Sequence, residues 1–219
     1  MEKRKITIGD YDTAAYGWTL TSWSLTAAEI KTKYVDKPLG DGSWDLSTSM
    51  TDGIPRYKDR KLVAVLELSD GTRMERETVI RNMINTLDGL RWDIRPPDDA
   101  LHHLNGRVSV ARNYNDLAHA SVTVTVVCDP WKYANTETVV ALTATTAKQT
   151  VQLFNYGRRA VVPTLTVTGS VLIEYGTSSM AMSDGVYQWP VLLLTPGGHM
   201  VTYSGEGTLA ISYREAVLE

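Results

Sequence analysis

Four histidines (His102, His103, His119, His199), one cysteine (Cys128) and the adjacent carboxylates Asp98 and Asp99 are the residues of this chain best suited to chemistry. Catalysis or metal binding needs them at workable spacing. His102 and His103 form the one local pair, but chain neighbours point apart unless a turn converges them. Only Asp98 and Asp99 lie near as oxygen ligands, so a loop of polar residues is the default reading and a metal site the weaker one. The two aspartates follow Pro96-Pro97. Adjacent carboxylates in such a turn usually face water, whereas a glycosidase pair must face one cleft across about 5–10 Å. Cys128 ends a valine-rich run, where burial raises a thiol pKa and leaves an inert small hydrophobe. No H-E-x-x-H, G-x-S-x-G or G-x-x-x-x-G-K-[ST] motif occurs. Gly40-Asp-Gly-Ser and Pro196-Gly-Gly-His precede strand-like runs and not helices, so they read as turns. No catalytic, cofactor-binding or metal residue is assigned, and no cofactor is expected.

Three weaker signals remain. Trp44 beside Asp45 suits a sugar site, yet such a Trp more often anchors a core or a subunit interface. Arg56, Lys58, Arg60 and Lys61, interrupted by Asp59, read as a solvated or inter-subunit face before a nucleic-acid patch. Lys31 and Lys33 mark either edge protection or a contact between copies.

The elements that must position these residues are mainly β. The chain has 219 residues and 24.3 kDa, with 22 Lys+Arg against 25 Asp+Glu. That near-neutral balance argues against a dedicated nucleic-acid binder. A single cysteine excludes an internal disulfide framework. No stretch approaches the roughly 20 apolar residues of a membrane helix, and the basic start is not followed by an apolar leader, so a soluble, unexported protein is expected. Charge is uneven: residues 1–134 hold 18 Lys+Arg and 19 Asp+Glu, residues 135–219 only 4 and 6. Two modules, 1–134 and 135–219, are expected from that drop.

In the first module, Trp18, Leu20, Trp23 and Leu25 trace a strand whose register slips near Thr21-Ser22, as at a bulge. Lys31–Val35 alternates. The run 61–68 (KLVAVLEL) is apolar nearly throughout, which predicts cover on both faces. Val122, Val124 and Val126 alternate with Thr123 and Thr125. Val79, Ile80, Met83, Ile84 and Leu87 form an apolar stripe at helical spacing, with a Thr72/Glu75 capping box and Gly89 as stop. A helix over about 75–88 is predicted. The second module shows short runs at 150–154, 165–168, 171–175, 191–194, 199–203 and 209–213. Turn residues separate them, among them Gly169, Gly176, Asp184-Gly and Gly205-Glu-Gly, which is the pattern of an antiparallel sandwich.

The order of segments resembles the distal tail proteins of long-tailed, non-contractile bacteriophages. Trp18-Thr-Leu-Thr, Lys31-Thr-Lys-Tyr-Val-Asp and Leu39-Gly-Asp-Gly-Ser-Trp-Asp-Leu-Ser resemble their opening. Tyr57-Lys-Asp-Arg60, the strand KLVAVLEL, the helix ending Leu87-Asp-Gly89 and Cys128-Asp-Pro-Trp-Lys-Tyr133 follow in the same order. Phe154-Asn-Tyr-Gly, Pro163-Thr-Leu-Thr-Val-Thr-Gly169 and Leu209-Ala-Ile-Ser-Tyr-Arg resemble the family's second module. The likeness runs from about Gly17 to Leu218 and rests on the ordered set. It implies a β-sandwich belt domain with one helix and a hairpin, six copies closing into a ring, then a galectin-like β-sandwich standing outside that ring. It also implies a non-enzymatic virion part, assembled in the host cytoplasm, that joins the tail tube protein to the tail tip or baseplate. A receptor-binding protein is a further partner, DNA passes through the central channel, and no membrane is involved. The shortness of the second module argues against an inserted carbohydrate-binding domain. A lumen that passes DNA should be neutral or acidic, and the loop Asp41–Asp52 is the candidate lining. The alternative function is a carbohydrate-binding module for cell-surface glycans, supported by six Trp and the galectin-like character of residues 135–219; against it, that module holds only Trp189, with His199 and Arg214 as useful polar groups. A glycoside hydrolase fragment ranks last.

Overall fold

A computed structural model describes residues 4–51, 53–113 and 120–219. His119 lies outside the described residues. The chain divides into two compact units, Met1–Lys132 and Tyr133–Glu219.

The first unit carries β1 (Thr7–Ile8), β2 (Tyr11–Asp12), β3 (Thr19–Leu25), β4 (Tyr34–Asp36), β5 (Ser43–Asp45), β6 (Arg60–Leu68), α1 (Arg73–Leu87), β7 (Arg91–Arg95), β8 (His102–Asn113) and most of β9 (Ala120–Ala134). Seven of the strands form one sheet in the order β2-β1-β7-β8-β9-β6-β3. Ile8 and Tyr11 at one end, Leu20 at the other, and the helix residues Ile80, Met83 and Leu87 all enter the same buried cluster. The sheet therefore curls around its own apolar face. Strand β9 shows why: Val122, Val124, Val126 and Cys128 are buried in strict alternation, so one face of the strand is inside. The register of β3 against β6 shifts between Leu20 and Ser22, at the slip expected from sequence.

Strand β6 corrects the sequence reading. Only Arg60, Leu62, Ala64, Leu66 and Leu68 are buried, while Lys61 and Glu67 are exposed and Val63 and Val65 half-buried. Valine at an outward position fits a pleated, partly covered surface as well as a core, so an apolar run does not by itself report two covered faces. Lys31 and Lys33 are likewise not part of a strand, which begins at Tyr34.

Helix α1 starts at Arg73, two residues before the expected Glu75. Thr72 is the N-cap: its hydroxyl accepts from the Glu75 amide, and the Glu75 carboxylate accepts from the Thr72 amide at 2.7 Å. The cap sets the boundary and the apolar stripe does not. At the other end, Gly89 takes φ +76° and donates its N–H to the Val108 carbonyl, tying the helix exit to β8. Arg112 of β8 grips Glu77 on the helix with two hydrogen bonds. Thr72→Ala removes one half of the reciprocal cap and should cost about 1 kcal/mol of first-unit stability, read by chemical denaturation.

The second unit contains the end of β9, β10 (Thr138–Ala144), β11 (Gln149–Asn155), β12 (Thr164–Tyr175), β13 (Ser178–Met182), β14 (Gly185–Gln188), β15 (Gly197–Tyr213) and β16 (Ala216–Val217). All pairings among β10–β15 are antiparallel. Strands β12 and β15 pair along eleven successive positions, from Thr164↔Ser212 to Glu174↔Thr202. Each is long enough to serve two layers. β10 and β14 flank the 207–213 and 164–167 halves; β11 and β13 flank the 197–203 and 171–175 halves. One buried cluster takes Leu165, Val167, Val171 and Ile173 from β12, and Val201, Tyr203, Leu209, Ile211 and Tyr213 from β15. Those residues are all odd-numbered, so one continuous face of the pair is inside on both sides of the middle. The paired strands fold over that face, and two layers share a core.

Gly169, Gly205 and Gly207 sit on the same odd positions at the fold-over. They are not the strand-ending turns that their type predicted. A Cβ built on them would lie 2.3, 2.1 and 2.0 Å from the carbonyl oxygens of Glu206, Ser170 and Thr168. At the crease the backbones approach too closely for any inward side chain. Residues 191–194 also depart from expectation: apart from the single Val161↔Leu194 bridge they join no strand.

Candidate interaction surfaces

The polar candidates are each committed locally. Asp98 accepts from Arg4 at 3.1 Å and from the Trp23 indole N–H at 3.2 Å. Asp99 instead caps the turn into β8, accepting from the Leu101 and His102 amides at 3.2 and 3.0 Å. It also meets His102 Nδ1 at 3.0 Å and Lys132 Nζ at 3.3 Å. The two carboxylates thus serve different partners and do not converge on a common cleft. His103 turns inward on the opposite side of the strand, with Nε2 3.7 Å from Asp93. Among the described residues no group of three or more His, Cys, Asp or Glu side chains is placed to hold a metal ion.

Burial opposes the charge on Asp99, but the His102 side-chain and backbone bonds and the Lys132 contact outweigh it and hold its pKa below the usual 3.8. A carboxylate with a depressed folded pKa stabilises above its unfolded pKa, and that contribution disappears as pH falls through the folded one. The thermal midpoint should therefore drop as pH falls below about 5 and go on dropping past the ordinary aspartate value of 3.8. Asp99→Asn keeps the amide acceptor but removes the charge, and should flatten that part of the profile in a pH series of thermal melts.

His199 is internally engaged. A carbonyl only accepts, so Nε2 donates to the Thr195 oxygen at 2.7 Å; in the neutral ring Nδ1 then accepts from the Tyr175 hydroxyl at 2.7 Å. Arg214 donates to the Ala134 and Asn135 carbonyls, clipping the start of the second unit to its end. Trp189 is partly buried against the second core. Cys128 is buried, and burial pushes its thiol up to about 12. The basic run does not form one patch. Arg60 is only 2% exposed, with Nε donating to the Thr26 carbonyl at 2.7 Å, while Lys58 pairs with Glu29 at 3.0 Å. Alternation along β6 turns Arg60 inward, a consequence of pairing that charge type does not reveal.

Exposed apolar side chains are densest in one segment. Of twenty exposed large hydrophobics among the described residues, eight fall within residues 30–54: Ile30, Tyr34, Val35, Leu39, Trp44, Leu46, Met50 and Ile54. None of them enters either buried cluster. This segment is an arm built on the β4–β5 hairpin. Its root is the Ile30↔Tyr57 bridge with Lys31 N–H to Arg56 O and Lys58 N–H to Glu29 O. Tyr57 packs edge-on against Trp131 at 5.4 Å. Beyond the root the arm holds itself. Val35 faces Trp44, and bonds from Leu46 N–H to Lys33 O and from Lys37 N–H to Gly42 O continue the same register. One face of the arm therefore presents Lys33, Val35, Lys37, Trp44 and Leu46; the other presents Tyr34, Asp36, Ser43 and Asp45. Asp36 accepts from Ser43, and Asp45 caps Ser47. Trp44, 51% exposed, is thus no core anchor. A lone two-stranded hairpin is marginal in water, and a cluster of exposed apolar side chains marks a contact surface.

A second surface lies on the outward side of β8 and β9. A cleft of about 520 Å³ has Thr125 and Val127 among its lining, with Asp59, Asp88, Asp129, Arg91 and Arg107. Val127 is 52% exposed. Arg91 is held by Asn105 and by Asp129 at 2.8 Å, Arg107 donates to Gly89 O, and Asp88 accepts from the Val110 amide.

No protein-family model matches the sequence, and no curated protein matches it. Among solved structures, the fold matches the crystal structure of the Dit (gp 19.1) protein of phage SPP1, described as a paradigm of the hub adsorption apparatus in phages infecting Gram-positive hosts. The TM-score is 0.68 at 16% identity, covering 96% of this chain and 98% of that one. The two chains share an architecture from end to end.

Proposed function

We propose that this chain is a structural subunit of a phage tail hub, a virion part and not an enzyme. The observation that carries the reading is the end-to-end fold match to a hub adsorption protein, covering both units and nearly all of each chain. The ordered motifs from Trp18 to Arg214 and the exposed arm support it. In this reading the first unit is the belt domain, six copies of which close into a ring through a heterologous contact. The second is a galectin-like sandwich. The ring joins the tail tube to the tip or baseplate, accepts receptor-binding parts and leaves a channel for DNA. A formal charge of −3 suits a lumen that must not hold phosphates. Assembly would take place in the host cytoplasm.

Light scattering and electron microscopy of the purified chain test this. The expected particle is a ring of six 24.3 kDa subunits, or a stacked pair, alone or with tube and tip proteins. A monomer indifferent to those partners sinks the reading.

One observation favours glycan binding as a second reading. Phe154 and Tyr156 stack with centroids 5.6 Å apart and planes 12° from parallel, and Tyr156 is 80% exposed. Exposed aromatic faces are what sugar rings pack on. A glycan array with a clear hit that Tyr156→Ala abolishes would promote this role; an array without one removes it.

A further inference from the structure

We infer that the lysine-flanked face of the 30–54 arm of one copy seats in the cleft on β8 and β9 of the next copy, an inference that rests on the ring reading. Three observations point to this pair. First, the shapes of the chemistry match. The arm face sets Val35, Trp44 and Leu46 between Lys33 and Lys37. The cleft sets the exposed Val127 among Asp59, Asp88 and Asp129. Apolar centre would meet apolar centre, and the two lysines would meet Asp59 and Asp88, the two rim carboxylates outside the Arg91–Asp129 pair.

Second, the arm's own acids do not cancel that charge. Asp36 and Asp45 lie on the opposite face and accept from Ser43 and Ser47 of the same hairpin. At the rim Arg91 is paired with Asp129, and Arg107 keeps its charge beside the Gly89 carbonyl, so three aspartates against two arginines leave one net negative charge there. Third, the arm is badly placed to fill the cleft of its own subunit. Asp59 is one residue from the root, where Lys58 N–H bonds to Glu29 O, so self-docking needs a reversal at the root itself. The tip at Leu39 stands up to about 30 Å of extended chain beyond Ile30, a reach suited to a neighbour. Arm and cleft are different surfaces of one unit, which is what a ring-closing heterologous contact requires.

The test mixes two variants of the full chain, Trp44→Cys and Val127→Cys, with a short bismaleimide under conditions where oligomers form. Native Cys128 is buried and stays out of the reaction. A covalent dimer of twice 24.3 kDa should appear in the mixture and not in either variant alone. In parallel, Val127→Arg should lower the assembled fraction at least tenfold while leaving the circular dichroism spectrum unchanged. Oligomers that give no mixed cross-link and ignore Val127→Arg overturn the seating and leave the ring reading standing. A chain that stays monomeric with tube and tip proteins present overturns both.

Discussion

Gly207→Ala should unfold the second unit, and it is the most destructive single-methyl change expected in this chain. Gly207 has φ +152°, and an added Cβ would stand 2.0 Å from the Thr168 carbonyl oxygen, with the Gly169 Cα at 3.0 Å. The obstruction is backbone on a fully paired strand, so no side chain can swing aside. Moving the strands apart would break the Thr168↔Thr208 and Gly169↔Gly207 pairings on which both layers depend. A cost above about 4 kcal/mol follows, in the range reserved for clashes with fixed structure. Calorimetry of the full chain should lose the second-unit transition and keep the first. Gly176→Ala is the control. Gly176 also has positive φ, +61°, but a Cβ there meets nothing within 4 Å. Its cost should stay near the 1–2 kcal/mol of left-handed backbone alone. Equal losses at both positions would show that backbone dihedral, and not close approach, dominates the crease.

Deleting the arm should produce the opposite separation, with folding untouched and assembly gone. Joining Ile30 to Tyr57 through two glycines keeps the bridging residues and the Tyr57–Trp131 contact. It removes no buried core side chain, because the core clusters take nothing from residues 31–56. First-unit stability should change by no more than about 0.5 kcal/mol, as for surface changes generally. Light scattering should report only monomer at concentrations where the full chain assembles, since the deletion takes away most of the apolar surface a subunit contact would bury. Oligomers that survive the deletion place the ring contact elsewhere. Loss of the folded state instead would mean the arm stabilises its own unit.

Local patterns were readable where a residue's role depends on near neighbours. Thr72 and Glu75 sit three apart and cap the helix between themselves. Val122, Val124 and Val126 alternate with threonines, and their burial follows from the pleat. The bulge at Leu20/Ser22 showed as a slip in the apolar register. Roles set by distant partners were not readable. Arg60 looked like part of a basic surface, and inward alternation with the Thr26 carbonyl as acceptor puts it inside. Gly169, Gly205 and Gly207 looked like turns because a glycine signals freedom at its own position. Here it signals the nearness of another backbone, a property of the β12–β15 pairing.

The amino-acid sequence by itself determined a β-rich, charge-asymmetric protein with one capped helix and no recognisable catalytic motif, because propensity, periodicity and capping act over a few residues. Tertiary structure decided the rest. It set which apolar residues lie inside and which lie on an uncovered arm, and it joined four short runs into two long paired strands creased at three glycines. Burial and close approach are properties of pairs far apart in the chain, and no short window of residues contains both members.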